Sequence, residues 1–415
     1  MAKLYQDISK IKKIDPLELD WLTLAETREL VDALGAENMR FVGGAVRDSL
    51  LGLPVSDVDV AVSLPPDEVM ARLQFAKIKA IPTGIDHGTV TAVVDQKHYE
   101  ITTLRSDDKT HGRRADVSFI DSWQDDAKRR DFTINALYLD DDGNIYDYFG
   151  GKADLENRHI KFIGDPIKRI EEDALRILRY FRFMAHFGMH SIDGDKEGLD
   201  AAVLMAKKLT FLSGERIRDE LKKLLLGKDC IDVLSLMMAK GVWQYILPDF
   251  DIEPMKNLVS VEKTLGKADV YLRLVRVLPR KMSEVKEAVK NIRLSNAETA
   301  HLMGLLHPDP RISYELDEKT LREVTYRYGL VDVKSFAILN AKIGDGEKLK
   351  AFLERIDGYE PPKFPIRGRD LIDMGIEAGP EMGELLCLLE ERWIESDFLI
   401  SHSDLLEMAK TPNLH

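Results

Sequence analysis

Apolar residues recur in this chain with two periods, every second position or every third and fourth, and the changes from one to the other mark its elements. Between Met39 and Val62 the order is MRFV, fit for a strand, then Gly43 and Gly44, then a helix from about Ala45 to Leu51 closed by Gly52 and Pro54. The alternating run SDVDVAV follows as a second strand. Val58, Val60 and Val62 turn to one face of it, toward a core, while Asp57 and Asp59 turn together to the other. PPDEVMARLQFA reads as a helix begun at Pro65 and Pro66. IDHGTVTAVVD and KHYEITTLRSD read as paired β-branched strands, with Glu100 on the second. Asp107 to Trp123 is polar, with a glycine and paired arginines, and is expected to begin as a mobile loop. Helical spacing then takes over. One helix is expected from Pro166 to Phe187, headed by Asp165, and another over 212 to 227 with Ser213 as N-cap. Beyond about residue 230 the pattern stays helical, with breaks near Pro248, Pro308 to Pro310 and 359 to 366. Residues 1 to 38 also read as helical, with Asp15 and Thr23 as helix starts.

Two carboxylates on one face of a strand suit magnesium, which takes one or two protein oxygens and fills its other positions with water and substrate phosphates. Gly43 and Gly44 let a polyphosphate approach the backbone at the helix start, and Arg47, one turn in, adds a fork of donors. Glu100 has two readings. It is a third acid that completes a two-metal site or accepts a proton from an attacking hydroxyl, or it is a solvent-facing strand residue. In DDAKRRDFTINALYLD, Arg130 is suited to a phosphate or ribose contact fixed in place by Asp131. Thr133 and Asn135 either orient a sugar or support the strand. Farther on, Asp173, Arg176 and Arg179 step along a helix three residues at a time. An Asp/Arg pair so spaced is either a surface ion pair or a reader of base edges. In the second case the carboxylate accepts from the exocyclic amine of cytosine or adenine, where uracil and guanine present a carbonyl oxygen.

A length of 415 residues allows two or more domains and a sizeable core. The net charge of -13 argues, taken alone, against a nucleic-acid partner. Basic residues nevertheless cluster at Arg113/Arg114, from Lys128 to Arg130, along Lys168 to Arg182 and from Arg216 to Lys223. These are either binding surfaces or solvated helix faces paired with acids. No run of about 18 apolar residues is present to span a bilayer, so no membrane partner is expected. The start, MAKLYQDISKIKK, lacks the apolar core of a signal peptide, and the expected address is cytoplasmic. Cys230 and Cys387 read as buried thiols, without disulfide or zinc spacing. No protein partner is implied.

The ordered set of strand, Gly-Gly, Arg-Asp, Leu-Leu-Gly, Pro and Asp-x-Asp, followed by RRDFTINA and by Glu172-Asp173-x-x-Arg176, resembles the signature of the tRNA nucleotidyltransferase and bacterial poly(A) polymerase family, within the polymerase-beta-like nucleotidyltransferases. The likeness covers residues 39 to 227 firmly and the rest loosely. It implies an α+β fold with a polymerase-beta-like head over 1–160, a neck that reads bases over 161–230, and an all-helical body and tail that bind tRNA over 231–415. It also implies addition of C, C and A to tRNA 3' ends from CTP and ATP, with two Mg2+ ions on Asp57 and Asp59 and pyrophosphate leaving. Gly43, Gly44, Arg47 and Arg130 would hold phosphates and sugar, Asp173 and Arg176 would read the base, and Arg179 and Arg182 would contact the nucleotide. The alternatives are a relative adding only CC or only A, a poly(A) polymerase and, more remotely, a catalytically silent RNA-binding protein. The family's loop pattern, close to Asp-Gly-Arg-Arg-Pro-Asp, is here His111-Gly112-Arg113-Arg114-Ala115-Asp116, two changes that bear on the final adenosine step.

Overall fold

The run MRFV sits inside a mixed sheet. In the computed structural model, which describes residues 7–111, 114–188 and 195–410, it forms strand β1 (Met39–Val42). Helices α1 (Asp20–Thr23) and α2 (Ala25–Leu34) precede it, and α3 (Gly44–Leu50), β2 (Val58–Val62) and α4 (Pro66–Phe75) follow. The next strands are β3 (Lys79–Gly84), β4 (Thr89–Val94), β5 (Lys97–Thr103), β6 (Arg105–His111) and β7 (Arg114–Phe119). After α5 (Trp123–Lys128), strands β8 (Leu137–Leu139) and β9 (Ile145–Asp147) complete the sheet, and α6 (Gly151–Glu156) follows. The seven-stranded sheet has the order β3-β4-β5-β2-β1-β8-β9. Within it β2 and β5 run parallel, which requires the long crossover through α4, β3 and β4. This pairing sets Asp59 directly opposite Glu100.

Along β2 the alternation holds for Asp59, which is exposed, and Val60, which is buried, but Ala61 is buried as well as Val62. The far end of the strand is covered on both faces, with Ala61 packing in a cluster with Ala127 of α5 and Tyr138 of β8. The β2 ladder begins at Val58, so Asp57 lies in the segment leading into the strand and not on it. Strand β3 had no clear sequence signal. It is a half-exposed edge strand containing Pro82, where neither alternation nor a full set of ladder donors is needed.

Three other expectations change. The segment expected as a mobile loop pairs as an antiparallel hairpin, β6 with β7, with a register shift between Asp107 and Thr110. Its Gly112 and Arg113 lie outside the described residues. The single helix expected from Pro166 to Phe187 is two, α7 (Pro166–Glu172) and α8 (Leu175–Phe187), because Asp173 is extended at φ -151° and ψ 107°. Its carboxylate accepts from the Leu175 N–H at 3.0 Å, the kind of local side-chain bond by which Asp competes with a continuous helix. Thr23 closes α1, and α2 starts after Leu24.

Helices α9 (Lys196–Leu204), α10 (Gly214–Leu225) and α11 (Cys230–Ala239) follow. Ser213 does occupy the N-cap position of α10, though its side chain makes no capping bond. The chain divides into two units, 1–248 and 249–415. The second unit is helical among its described residues, from Glu253–Leu265 to His402–Ala409, and has a core of its own around Leu371, Leu389, Trp393 and Leu405. Cys230 is buried as expected, but Cys387 is exposed. Among the described residues, no helix is long and apolar enough to cross a membrane.

The turn that carries Thr133 and Asn135 is pinned from behind by α6. A Cβ on Gly151 would lie 2.2 Å from the Thr133 carbonyl oxygen, and the Thr133 hydroxyl donates to Asp154 at 2.8 Å. Gly151→Ala is therefore expected to destabilise the first unit by about 2 kcal/mol, lowering its thermal midpoint by roughly 5 °C. A melting curve unchanged from wild type would show that this close approach is not maintained.

Candidate active site

A cavity of about 650 Å3 opens where the Gly43–Gly44 turn, the lead into β2 and the α7–α8 break converge. Gly43 has φ 73° and ψ -121°, a conformation that L side chains rarely adopt. A Cβ there would stand 3.9 Å from Arg130 Nη1 and 4.0 Å from Asp59 Oδ2, in the gap between acid and guanidinium. The Gly43 N–H donates to the Leu137 carbonyl at 3.1 Å, so this glycine contributes clearance and not a donor. Asp57 and Asp59 both line the cavity, and the Ser56 hydroxyl donates to Asp57 Oδ2 at 2.9 Å. Asp59 opens to the cavity with protein behind it. Burial raises its carboxyl above the ordinary range, and the charges of Glu100 and Asp57 push the same way, against the pull of Arg130 and Arg47. Glu100 itself is exposed and does not line the cavity.

The oxygen-only donors at this corner suit a hard divalent cation, and burial together with the Glu100 and Asp57 charges makes the Asp59 carboxylate costly to hold without one. Among the described residues no cluster of three or more His, Cys, Asp or Glu forms an all-protein metal cage. Magnesium does not need one, because substrate phosphates and water fill its remaining positions.

Facing the acids, seven arginines and one lysine line the cavity against five aspartates. Arg47 is buried. Its Nε and Nη2 donate to the two carboxylate oxygens of Asp48 at 2.8 and 3.0 Å, and its Nη1 donates to Asn135 Oδ1 at 2.6 Å. Arg130 is fixed by Asp126 and not by Asp131. Its Nη2 donates to Asp126 at 3.2 Å and its Nε to the Tyr138 hydroxyl at 3.1 Å, which in turn donates to Asp126 at 2.7 Å. Asp126 also accepts from Arg129 at 2.8 Å. Burial works against the Asp126 charge, but the Arg130 and Arg129 guanidiniums and the Tyr138 hydroxyl outweigh it and hold the carboxyl below its usual range. Asp131 serves the other wall, accepting from Arg179 Nε at 2.6 Å and from Asn135 at 3.0 Å. Asn135 thus bridges Arg47 to Asp131, and Thr133 supports the turn.

On the third wall Asp173 and Arg176 do not pair with each other, so the surface ion pair, the alternative to base reading, does not form. Asp173 accepts from Arg216 of α10 at 2.7 Å, and Arg176 donates to Glu172 at 2.5 Å, to the Arg169 carbonyl at 2.8 Å and to the Arg129 carbonyl at 3.2 Å. Each of the two is anchored by a separate partner, and both line the cavity. Arg182 meets the buried Glu220 at 3.0 Å, and burial brings its guanidinium down to about 10, still charged near neutral pH. Arg47, Arg179 and Arg182 gather around one ring, with guanidinium carbons 5.3, 5.4 and 4.2 Å from the Phe183 centroid.

Of the residues expected at the site, all but Glu100 and Thr133 therefore line one cavity. The organising residues that sequence reasoning passed over are Asp126, Phe183 and Glu220, while Lys223 entered only as the end of a basic cluster. Asp126 on α5 stands four before Arg130, which lies two residues past the end of that helix, and Phe183 stands four after Arg179 on α8, so sequence spacing holds their signal once the two arginines are singled out.

A mixed sheet that presents paired acids to a guanidinium-lined cavity, followed by helices, is the architecture of a polymerase-beta-like nucleotidyltransferase head with an all-helical remainder. Residues 39–161 match the family model described as the poly A polymerase head domain, and residues 195–253 match the "Probable RNA and SrmB- binding site of polymerase A". The chain is 34% identical over 413 residues to the CCA tRNA nucleotidyltransferase 1, mitochondrial, of Mus musculus, covering 96% of this chain and 93% of that one. It is 32% identical over 396 residues to a CCA-adding enzyme of Lactococcus lactis, with 93% and 95% covered. Among solved structures, the Bacillus stearothermophilus CCA-adding enzyme in complex with CTP superposes with a TM-score of 0.74 at 29% identity, covering 90% of this chain and 94% of that one. The chain belongs to the CCA tRNA nucleotidyltransferase family.

The Asp126 network carries its own prediction. Asp126→Asn leaves two half-buried guanidiniums short of a counter-charge and should destabilise the first unit by about 2 kcal/mol. Because the folded-state carboxyl is depressed, this contribution is fully present above about pH 4 and is lost as pH falls through the folded-state value. Thermal unfolding of wild type and variant should differ at pH 7 and converge in acid. Equal stability at pH 7 would mean that the arginines do not lean on this carboxylate.

Proposed function

We propose that this chain adds C, C and A to the 3' ends of tRNA, taking nucleotidyl groups from CTP and ATP without a nucleic-acid template and releasing pyrophosphate. The observation that carries this reading is that Asp57 and Asp59 share one cavity with Asp173 and Arg176, so a metal-binding corner and a base-reading wall face the same nucleotide-sized space. The names of its relatives, and a similar structure in complex with CTP, support it.

Asp57 and Asp59 hold the divalent metal, which we take to be two Mg2+ ions. Bound there, the ions supply charge neutralisation for the triphosphate and acidify the attacking 3'-hydroxyl. Glu100, opposite Asp59 in the parallel ladder, strengthens the negative potential that draws the cations. Gly43 clears the path for phosphate, Gly44 offers its backbone at the start of α3, and Arg47 and Arg130 orient phosphates and sugar. Asp173 accepts from the exocyclic amine of cytosine or adenine while Arg176 donates beside it, and Arg179 and Arg182 complete the nucleotide's surroundings. A carbonyl in place of that amine leaves Asp173 facing an unmatched acceptor, which is how the site rejects UTP and GTP. Residues 1–160 act as catalytic head, 161–230 as base-reading neck, and 231–415 as the body and tail that hold tRNA. Two free thiols suit a reducing compartment such as the cytoplasm.

Incubation with unfinished tRNA and CTP or ATP singly, followed by end-sequencing, tests the activity. CTP should extend by two residues and ATP then by one, whereas continued adenosine addition would indicate a poly(A) polymerase. Asp57→Ala should remove transfer, a fall of 10³-fold or more on the order expected when metal catalysis is lost, with melting unchanged; undiminished transfer refutes the metal assignment. Asp173→Ala should narrow the CTP-over-UTP preference about tenfold or more in direct competition while changing triphosphate affinity little. Retained selectivity would take base reading away from this residue.

A further inference from the structure

Each of the seven arginines in the cavity wall has a carboxylate partner supplied by the protein, whether Asp48, Asp126, Glu172, Asp131, Glu220 or Asp173. The eighth cation differs. Lys223 is exposed, lines the same cavity, and among the described residues its ammonium has no carboxylate partner. We propose that Lys223 binds the outermost phosphate of the incoming nucleoside triphosphate, and the pyrophosphate that leaves. The proposal rests on the reading of this cavity as a nucleotide site.

Its position on α10 supports that role. Arg216 of the same helix bonds Asp173 at the base-reading wall, and Lys223 lies seven residues later, about two turns or 10 Å along the axis. A nucleotide with its base at Asp173 carries its outer phosphates about that far away. The Lys223 turn is tied to α8 by His186, whose Nε2 meets the Lys223 carbonyl at 2.7 Å, and α8 at this level carries Phe187, 4.7 Å from the Arg47 guanidinium. Lys223 therefore stands at the Arg47 end. A guanidinium already bound to a carboxylate must share its donors with phosphate. An unpartnered ammonium on a flexible stem offers its whole charge, and its single-point contact lets go readily when pyrophosphate departs. A backbone phosphate of RNA has the same chemistry, but a side chain lining the cavity of the base-reading wall favours the triphosphate.

Equilibrium binding of CTP, CMP and pyrophosphate to the full chain with Mg2+ tests this, using Lys223→Met and Lys223→Arg. Lys223→Met should weaken CTP and pyrophosphate about tenfold, the loss expected for one charged hydrogen bond, and leave CMP unchanged. Unchanged CMP affinity reports an intact site, and Lys223→Arg should recover most of the CTP affinity. An unaltered CTP-to-CMP affinity ratio in Lys223→Met overturns the proposal. So does a fall in tRNA affinity, with a salt slope smaller by about 1 and CTP binding untouched, which would assign Lys223 to the RNA backbone. Wild-type protein that binds neither CTP nor CMP would sink the nucleotide reading and this proposal with it.

Discussion

Like charges crowded around one space must be held apart, and this cavity is possible because buried carboxylates hold its guanidiniums. Asp126 orients Arg129 and Arg130 from one side, Asp131 orients Arg179 from another, and Glu220 stands behind Arg182. Without them, seven arginines would repel one another and spread toward solvent. With them, the cationic wall is set before any substrate arrives, and a bound polyanion need not reorganise it. The acid corner follows the opposite logic. Burial and the neighbouring charges of Glu100 and Asp57 raise the cost of ionising Asp59, a cost that a bound cation would relieve.

The break at Asp173 gives the third wall its geometry. In an unbroken helix Asp173 and Arg176 would be neighbours on one face and would neutralise each other. Extending Asp173 lets its carboxylate cap α8 and reach Arg216, while Arg176 turns to Glu172. A donor and an acceptor are thereby held separately against one cavity, the condition for reading a base edge. One structural motif thus both ends a helix and makes a recognition surface.

The Gly43 turn and, on β2, the inward Val60 and Val62 and the outward Asp59 were legible in the primary structure because their determinants are local. A positive φ asks for glycine, and a two-residue period aims side chains. So was family membership, since the motifs fall in a fixed order. The hairpin of β6 and β7 was not legible: its composition is polar, and its pairing satisfies backbone groups with no apolar stripe to betray it. Strand β3 was missed for a related reason, being an edge with a proline.

Local chemistry, then, named the groups that act: two aspartates, a Gly-Gly turn, and arginines at helical spacing. Partnership was another matter. That Arg130 leans on Asp126 and not on its neighbour Asp131, that Asp173 joins Arg216 some forty residues away, and that Lys223 alone among the cavity's cations lacks an acidic partner among the described residues all depend on distances across the fold. Electrostatic pairing is decided by separation in space and by burial, and neither is written in the order of residues along a chain.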